Sequence, residues 1–244
     1  MLDEQARQAA EATFTALVLA ALTRWLRRVR DVVLAPWRLF RSQPDPTGMY
    51  STQPQWNEEV DTLVEQLQEV ARRAWEAATD APFVSTDSFI QAQLAQTRNL
   101  LVRIPDEVYN LIFAEISDGV NAGEDIRQIA ERIDNVLNTT ASERWPNRAR
   151  LIAVTEVNRA GNAGALAAGF QNQRIEGTPL FKRWLDSSDR RVRPTHRKAD
   201  GQQVPLEQPF IVGGFPLMFP GDPTGPPEEV IGCRCSLLVV EAGD

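Results

Sequence analysis

The chain has 244 residues, 43% hydrophobic and 24% charged, so it can bury a full core without staples, and its mean hydropathy of −0.31 argues against an integral membrane protein. Two cysteines, Cys233 and Cys235, exclude a disulfide framework and fit a reducing compartment. The net charge of −7 is uneven: residues 144–200 hold twelve Lys/Arg against five Asp/Glu, a local +7, which leaves −14 for the remainder. Such a split offers a face to nucleic acid or an acidic protein surface, or else pairs the arginines with the chain's own acidic part.

The N-terminal Met1-Leu2-Asp3-Glu4 is acidic where a secretory signal is basic, and no small-residue cleavage site follows. The chain therefore reads as made and kept in a cytoplasm. The longest apolar stretch, Phe14 to Leu22, falls short of the roughly 20 residues that cross a bilayer, so no membrane span is expected. Residues 3–40 predict a helix, with Phe14, Leu17, Val18, Leu22, Trp25, Leu26, Val29 and Val33 at three- and four-residue spacing and Pro36 as its end or kink. Its second half is basic and amphipathic. Arg24, Arg27 and Arg28 are candidate contacts to nucleic acid or to a partner, although packing against protein is the commoner use of such a helix.

Ser42 to Gly48 carries two prolines and a glycine, which sets residues 1–41 apart as a helical arm joined by a linker over 42–55. Four helices follow in a body spanning 56–140: Trp56 to Thr79, Asp87 to Val102 capped by Ser85 or Thr86, Pro105 to Val120 with proline at the first position, and Gly123 to Leu137. A long helix from about Ser142 to Gly169 opens the C-terminal domain, 141–244. Its second half is rich in small residues, and Gly161 and Gly164 predict the close approach of another backbone, because each glycine costs the helix ~1 kcal/mol relative to alanine. Beyond Gly177, Leu180–Leu185, Phe210–Val212 and Cys235–Val240 read as short strands between breakers. The fold class is α+β: a helical N-terminal two-thirds, then a small antiparallel sheet packed on the long helix.

Four motifs share the last hundred residues: Thr155-Glu156-x-Asn158 on the long helix; Trp184, Asp189, Arg191, Arg193 and His196 at fixed spacing; Asp200-Gly201; and Cys233-Arg234-Cys235 before the final strand. In their order and spacing over about residues 105–241 the sequence resembles the minor head proteins of tailed bacteriophages typified by the F protein of phage Mu. It departs from that pattern at Val154, where the family commonly has arginine before Thr-Glu. The resemblance implies a non-enzymatic component of the virion, near the portal or the capsid interior. It implies portal, capsid or scaffolding proteins as partners, packaged DNA as a further one, and a role in head assembly and in DNA packaging or ejection.

The residues themselves leave the chemistry open. His196, Cys233 and Cys235 can form a buried hydrogen-bonded cluster, with Asp189, Asp200 and Glu156 in the same network; or they can hold a structural zinc, with Asp186, Asp189 or Asp200 as fourth ligand. A Cys–His nucleophile pair is the third option, but no second histidine and no glycine-rich oxyanion turn accompany it. A disulfide between residues two apart in an extended strand is disfavoured by the Cα separation. Thr155, Glu156, Arg159 and Asn162 share one helix face, so Glu156 can pair with Arg159 or with Arg191 and Arg193. The expected use of that network is to clamp loop 186–200 to the helix, while Arg190, Arg191, Arg193, Arg197 and Lys198 are candidates for phosphate contact. A rival reading is a metal- or Cys/His-dependent enzyme or effector, and another a general nucleic-acid-binding module.

Overall fold

No glycine interrupts residues 4–40, and Asp3 accepts the Ala6 amide at 2.6 Å as a cap, so helix α1 runs from Glu4 to Phe40. Pro36 lies inside it rather than ending it. The computed structural model describes residues 3–40 and 46–241. A 3-10 turn (Thr47–Thr52) leads into α2 (Gln53–Glu76), α3 (Ser88–Leu101), α4 (Ile104–Asn121) and α5 (Ile126–Thr139). A π turn at Thr140–Arg144 joins α5 to α6 (Trp145–Glu176). After α6 come β1 (Phe181–Leu185), α7 (Pro194–Ala199), β2 (Gln203–Pro205), β3 (Phe210–Val212), β4 (Phe215–Leu217), α8 (Pro227–Val230) and β5 (Ser236–Val240). The α+β expectation holds, and each predicted helix is present with its ends moved by a few residues.

Two compact units divide the chain. One comprises residues 16–63 and 98–149. Its core is aromatic: the Trp25 ring lies 5.6 Å from Trp56, 5.9 Å from Tyr109 and 6.2 Å from Trp145, the last nearly parallel. Both inner indoles are satisfied, Trp25 Nε1 donating to Thr52 Oγ1 at 3.0 Å and Trp56 Nε1 to the Leu101 carbonyl at 2.9 Å. Asp125 and Gln128 form a reciprocal capping box that starts α5. Arg24–Glu59 and Arg98–Asp61 are solvent-exposed pairs and add little.

This packing replaces the expected separation of residues 1–41 as an arm. Val18, Leu22, Trp25, Val29 and Val33 are buried, because an apolar stripe of this length must be covered, and breakers after it only redirect the chain. Of the expected linker 42–55, residues 42–45 lie outside the described residues, and the rest is mainly the 3-10 turn and the start of α2. The stripe also answers the membrane question differently from the uninterrupted run. Glu4–Leu39 is long and apolar enough to cross a bilayer by length and composition, with Phe14, Leu22, Trp25 and Leu26 buried against protein and Leu39 exposed.

The other unit comprises residues 1–15, 64–97 and 150–244. The antiparallel sheet has the order β2-β1-β5, with Lys182 opposite Val204 and Val239, and β3–β4 form a separate hairpin whose turn residues Gly213 and Gly214 both have positive φ. Ala163, Ala165 and Leu166 of α6 share one core with Trp184, Phe210, Leu217, Phe219 and Leu237. The small residues of α6 thus face the sheet and hairpin, as expected. On another side a Cβ at Gly164 would stand 2.3 Å from the Ala71 carbonyl oxygen, so α2 crosses α6 there at backbone distance.

Lys182 is fully buried in this core. Its Nζ donates to the Met218 carbonyl at 2.7 Å and lies 5.2 Å from the Phe210 ring centre. Burial lowers its pKa to about 8, with Asp222 and Glu207 opposing the shift. The folded chain therefore binds fewer protons than the unfolded one between pH 8 and 10.5, and stability from this group rises with pH across that window and is constant below it. The unfolding free energy of the wild type relative to Lys182→Met, followed by urea titration, is expected to climb by about 2 kcal/mol from pH 8 to 10.5. A flat difference would show that the amine is not desolvated.

Candidate functional site

The polar face of α6 is buried, and its partners come from the loops that end in β5. Asn162 Nδ2 donates to the Pro220 and Cys235 carbonyls at 2.9 and 3.1 Å, and its Oδ1 accepts the Leu237 amide at 2.9 Å. Asn158 donates to the same Cys235 carbonyl, and Thr155 Oγ1 accepts the Gly232 amide. Asparagine suits these positions because it supplies a donor and an acceptor together, matching both halves of a strand's unpaired edge. One turn away, Arg159 lies 2.6 Å from Glu156, donates to the Gly221 carbonyl at 2.9 Å, and Thr97 Oγ1 donates to Glu156 at 2.8 Å. Glu156 and Arg159 are 6% and 2% exposed, which makes this a satisfied interior ion pair.

The expected clamp therefore exists, but it grips 220–237 rather than loop 186–200. Arg191 lies 3.8 Å from Asp189, and half-buried Arg193 donates to the Ile231 carbonyl; the structure takes neither to Glu156. Loop 186–200 is held by its own contacts. The Asp200 carboxylate accepts the Asp186 amide at 2.9 Å, and Asp189 pairs with Arg234 at 2.6 Å, a bond that holds the Asp189 carboxyl below its ordinary range. Asp189, Asp200 and Glu156 are thus dispersed over three different networks.

His196, Cys233 and Cys235 do come together. The first lies on α7, started by Pro194; the others follow a turn at Gly232, whose φ is +67°. His196 Nδ1 is 3.2 Å from Cys235 Sγ and 3.7 Å from Cys233 Sγ, and all three residues are 2% exposed. The hydrogen bond between the thiols pulls Cys233 below the ordinary thiol range and pushes Cys235 above it, with burial adding to the second shift. Trp184 meets the imidazole edge-on at 5.4 Å between ring centres.

A fourth member, Glu229, escaped the sequence reading. Its Oε2 is 3.0 Å from His196 Nε2 and accepts from Thr195 Oγ1 at 2.8 Å. It sits on α8, four residues long and too short to show periodicity, and the only signal is the acidic pair Glu228-Glu229 after Pro226-Pro227. Gly213, at φ +61°, leaves room for this carboxylate, since a Cβ there would stand 2.3 Å from Glu229 Oε1.

Among the basic candidates, Arg190, Arg191, Arg197 and Lys198 are exposed on and around α7. Arg27 and Arg28 are exposed on α1, while Arg24 is occupied by Glu59.

Residues 110–238 match the family model described as Phage Mu protein F like protein. The minor head protein GP7 of Bacillus phage SPP1 is 31% identical over 140 residues, 57% of this chain and 42% of that protein. The NAD(+)–arginine ADP-ribosyltransferase EFV of Enterococcus faecalis is 27% identical over 175 residues, 68% of this chain and 34% of that protein. The chain thus spans less than half the length of either relative. No solved structure matches it. With more than half of the chain covered by the family model, and with the α6 clamp and the His196 cluster inside the matched stretch, the chain belongs to the Phage Mu protein F-like family.

Proposed function

We propose that this chain is a minor head protein of a tailed phage, acting in head assembly as an adaptor rather than as an enzyme. The observation that carries this is the family match over residues 110–238, together with the similarity to the SPP1 minor head protein. The site supports it. Its polar side chains are spent on holding loops to α6 and β5, and the thiols and imidazole are too covered to meet a substrate. Transferase activity is named for the enterococcal relative, of which this chain covers a third.

In this reading the partners are the portal and the capsid or scaffolding proteins. The protein resides at the portal vertex or capsid interior and contributes to DNA packaging or ejection, with Arg190, Arg191, Arg197 and Lys198 meeting DNA phosphates. Mass spectrometry of procapsids and virions from the genome encoding the chain should find it in few copies per particle. Normal yields of filled heads after its deletion would overturn the assembly role. Replacing the four basic residues with alanine should flatten the salt dependence of DNA binding by about 3–4 in log–log slope. An unchanged slope would remove DNA from the list of partners.

A further inference from the structure

We propose that His196, Cys233 and Cys235 are three ligands of a zinc ion, with Glu229 fixing the imidazole from the outer side and a water molecule in the fourth position. The ligand atoms, His196 Nδ1 and the two Sγ, all lie within 4.8 Å of one another. Tetrahedral zinc with Zn–S of about 2.3 Å and Zn–N of about 2.05 Å requires an N···S separation of about 3.6 Å. The observed 3.2 and 3.7 Å bracket that value.

The tautomer follows from the other ring nitrogen. With Nε2 directed at the Glu229 carboxylate 3.0 Å away, Nδ1 is the ring nitrogen that faces the two sulfurs, and the Nε2-H tautomer that lets Nδ1 bind a metal is the one this carboxylate can accept from. Carboxylate–histidine–metal relays have this arrangement, in which the outer acid sets ring orientation and raises ligand basicity. Thr195 in turn holds the same carboxylate oxygen. Charge also fits: two thiolates cancel the dication, so the centre is neutral where its ligands are almost completely buried.

Position in the fold gives the ion a use. The ligands join α7 to the segment entering β5, two parts of the chain about 40 residues apart with little regular structure between them. None of Asp186, Asp189 and Asp200 joins the cluster among the described residues, so none of them supplies the fourth ligand, and one enclosed water completes the tetrahedron.

The test uses the full chain, purified without chelator or polyhistidine tag and with both thiols reduced. Elemental analysis should find about one zinc per chain, falling at least tenfold in Cys233→Ser, Cys235→Ser and His196→Gln. Less than a tenth of an equivalent in the wild type after incubation with excess zinc, or full occupancy persisting in the variants, overturns the proposal. Because the variants can unfold, cobalt(II) loading of the wild-type chain provides an independent reading. Intense visible d–d bands of a tetrahedral centre with thiolate-to-cobalt charge transfer are expected, and a weak octahedral spectrum or none overturns the ligand set. Glu229→Gln should keep the stoichiometry while weakening zinc by about 10–100-fold in chelator competition. Unchanged affinity would remove Glu229 from the centre.

Discussion

Gly164→Ala is expected to destabilise the chain by about 3 kcal/mol, or roughly 10 °C in Tm at this size, against a helix-propensity gain of about 1 kcal/mol that points the other way. The new methyl would stand 2.3 Å from the Ala71 carbonyl oxygen and 3.0 Å from its carbonyl carbon, so relief requires moving α2 bodily rather than turning a side chain. Gly169→Ala is the informative comparison. There the added carbon meets side chains alone, Val239 at 2.9 Å and Leu206 at 3.4 Å, which rotamer changes can withdraw, and a smaller loss is expected. Thermal unfolding of the two variants side by side measures the difference. Equal melting temperatures would mean that α2 and α6 do not approach at backbone distance.

Arg159→Met should cost about 3–5 kcal/mol in urea unfolding at unchanged m, one of the largest losses available from a single side chain. The substitution leaves the Glu156 carboxylate buried with the Thr97 hydroxyl as its remaining side-chain partner, and it strips the Gly221 carbonyl of its donor. The cost lies in the orphaned charge rather than in the lost attraction, so Glu156→Leu combined with Arg159→Met should recover most of it. A single variant within 1 kcal/mol of wild type would show that water reaches the pair. A double variant no better than the single would assign the loss to the Gly221 contact.

The sequence alone determined the helices, because a buried stripe at three- and four-residue spacing is written into neighbouring positions: Val60, Leu63 and Leu67 on α2, Ile129, Ile133 and Leu137 on α5. It also determined that Glu156 and Arg159 share a face and that the last strands lie on the small-residue helix, since alanines and glycines leave room for little else. Tertiary structure decided whatever depends on distant positions meeting. Breakers at 42–48 suggested a separable arm, but they carry no information about where Trp25 packs, and three aromatic partners 31, 84 and 120 residues further along the chain decided that. Cysteine and histidine counts marked three members of the cluster, yet only the fold chose among the acidic candidates for their company. It dispersed Asp189, Asp200 and Glu156 to other partners and brought in Glu229, whose four-residue helix has no pattern to read. Local periodicity encodes which side of an element is buried; which element lies on it is set by the packing of the whole chain, and that is where the site was assembled.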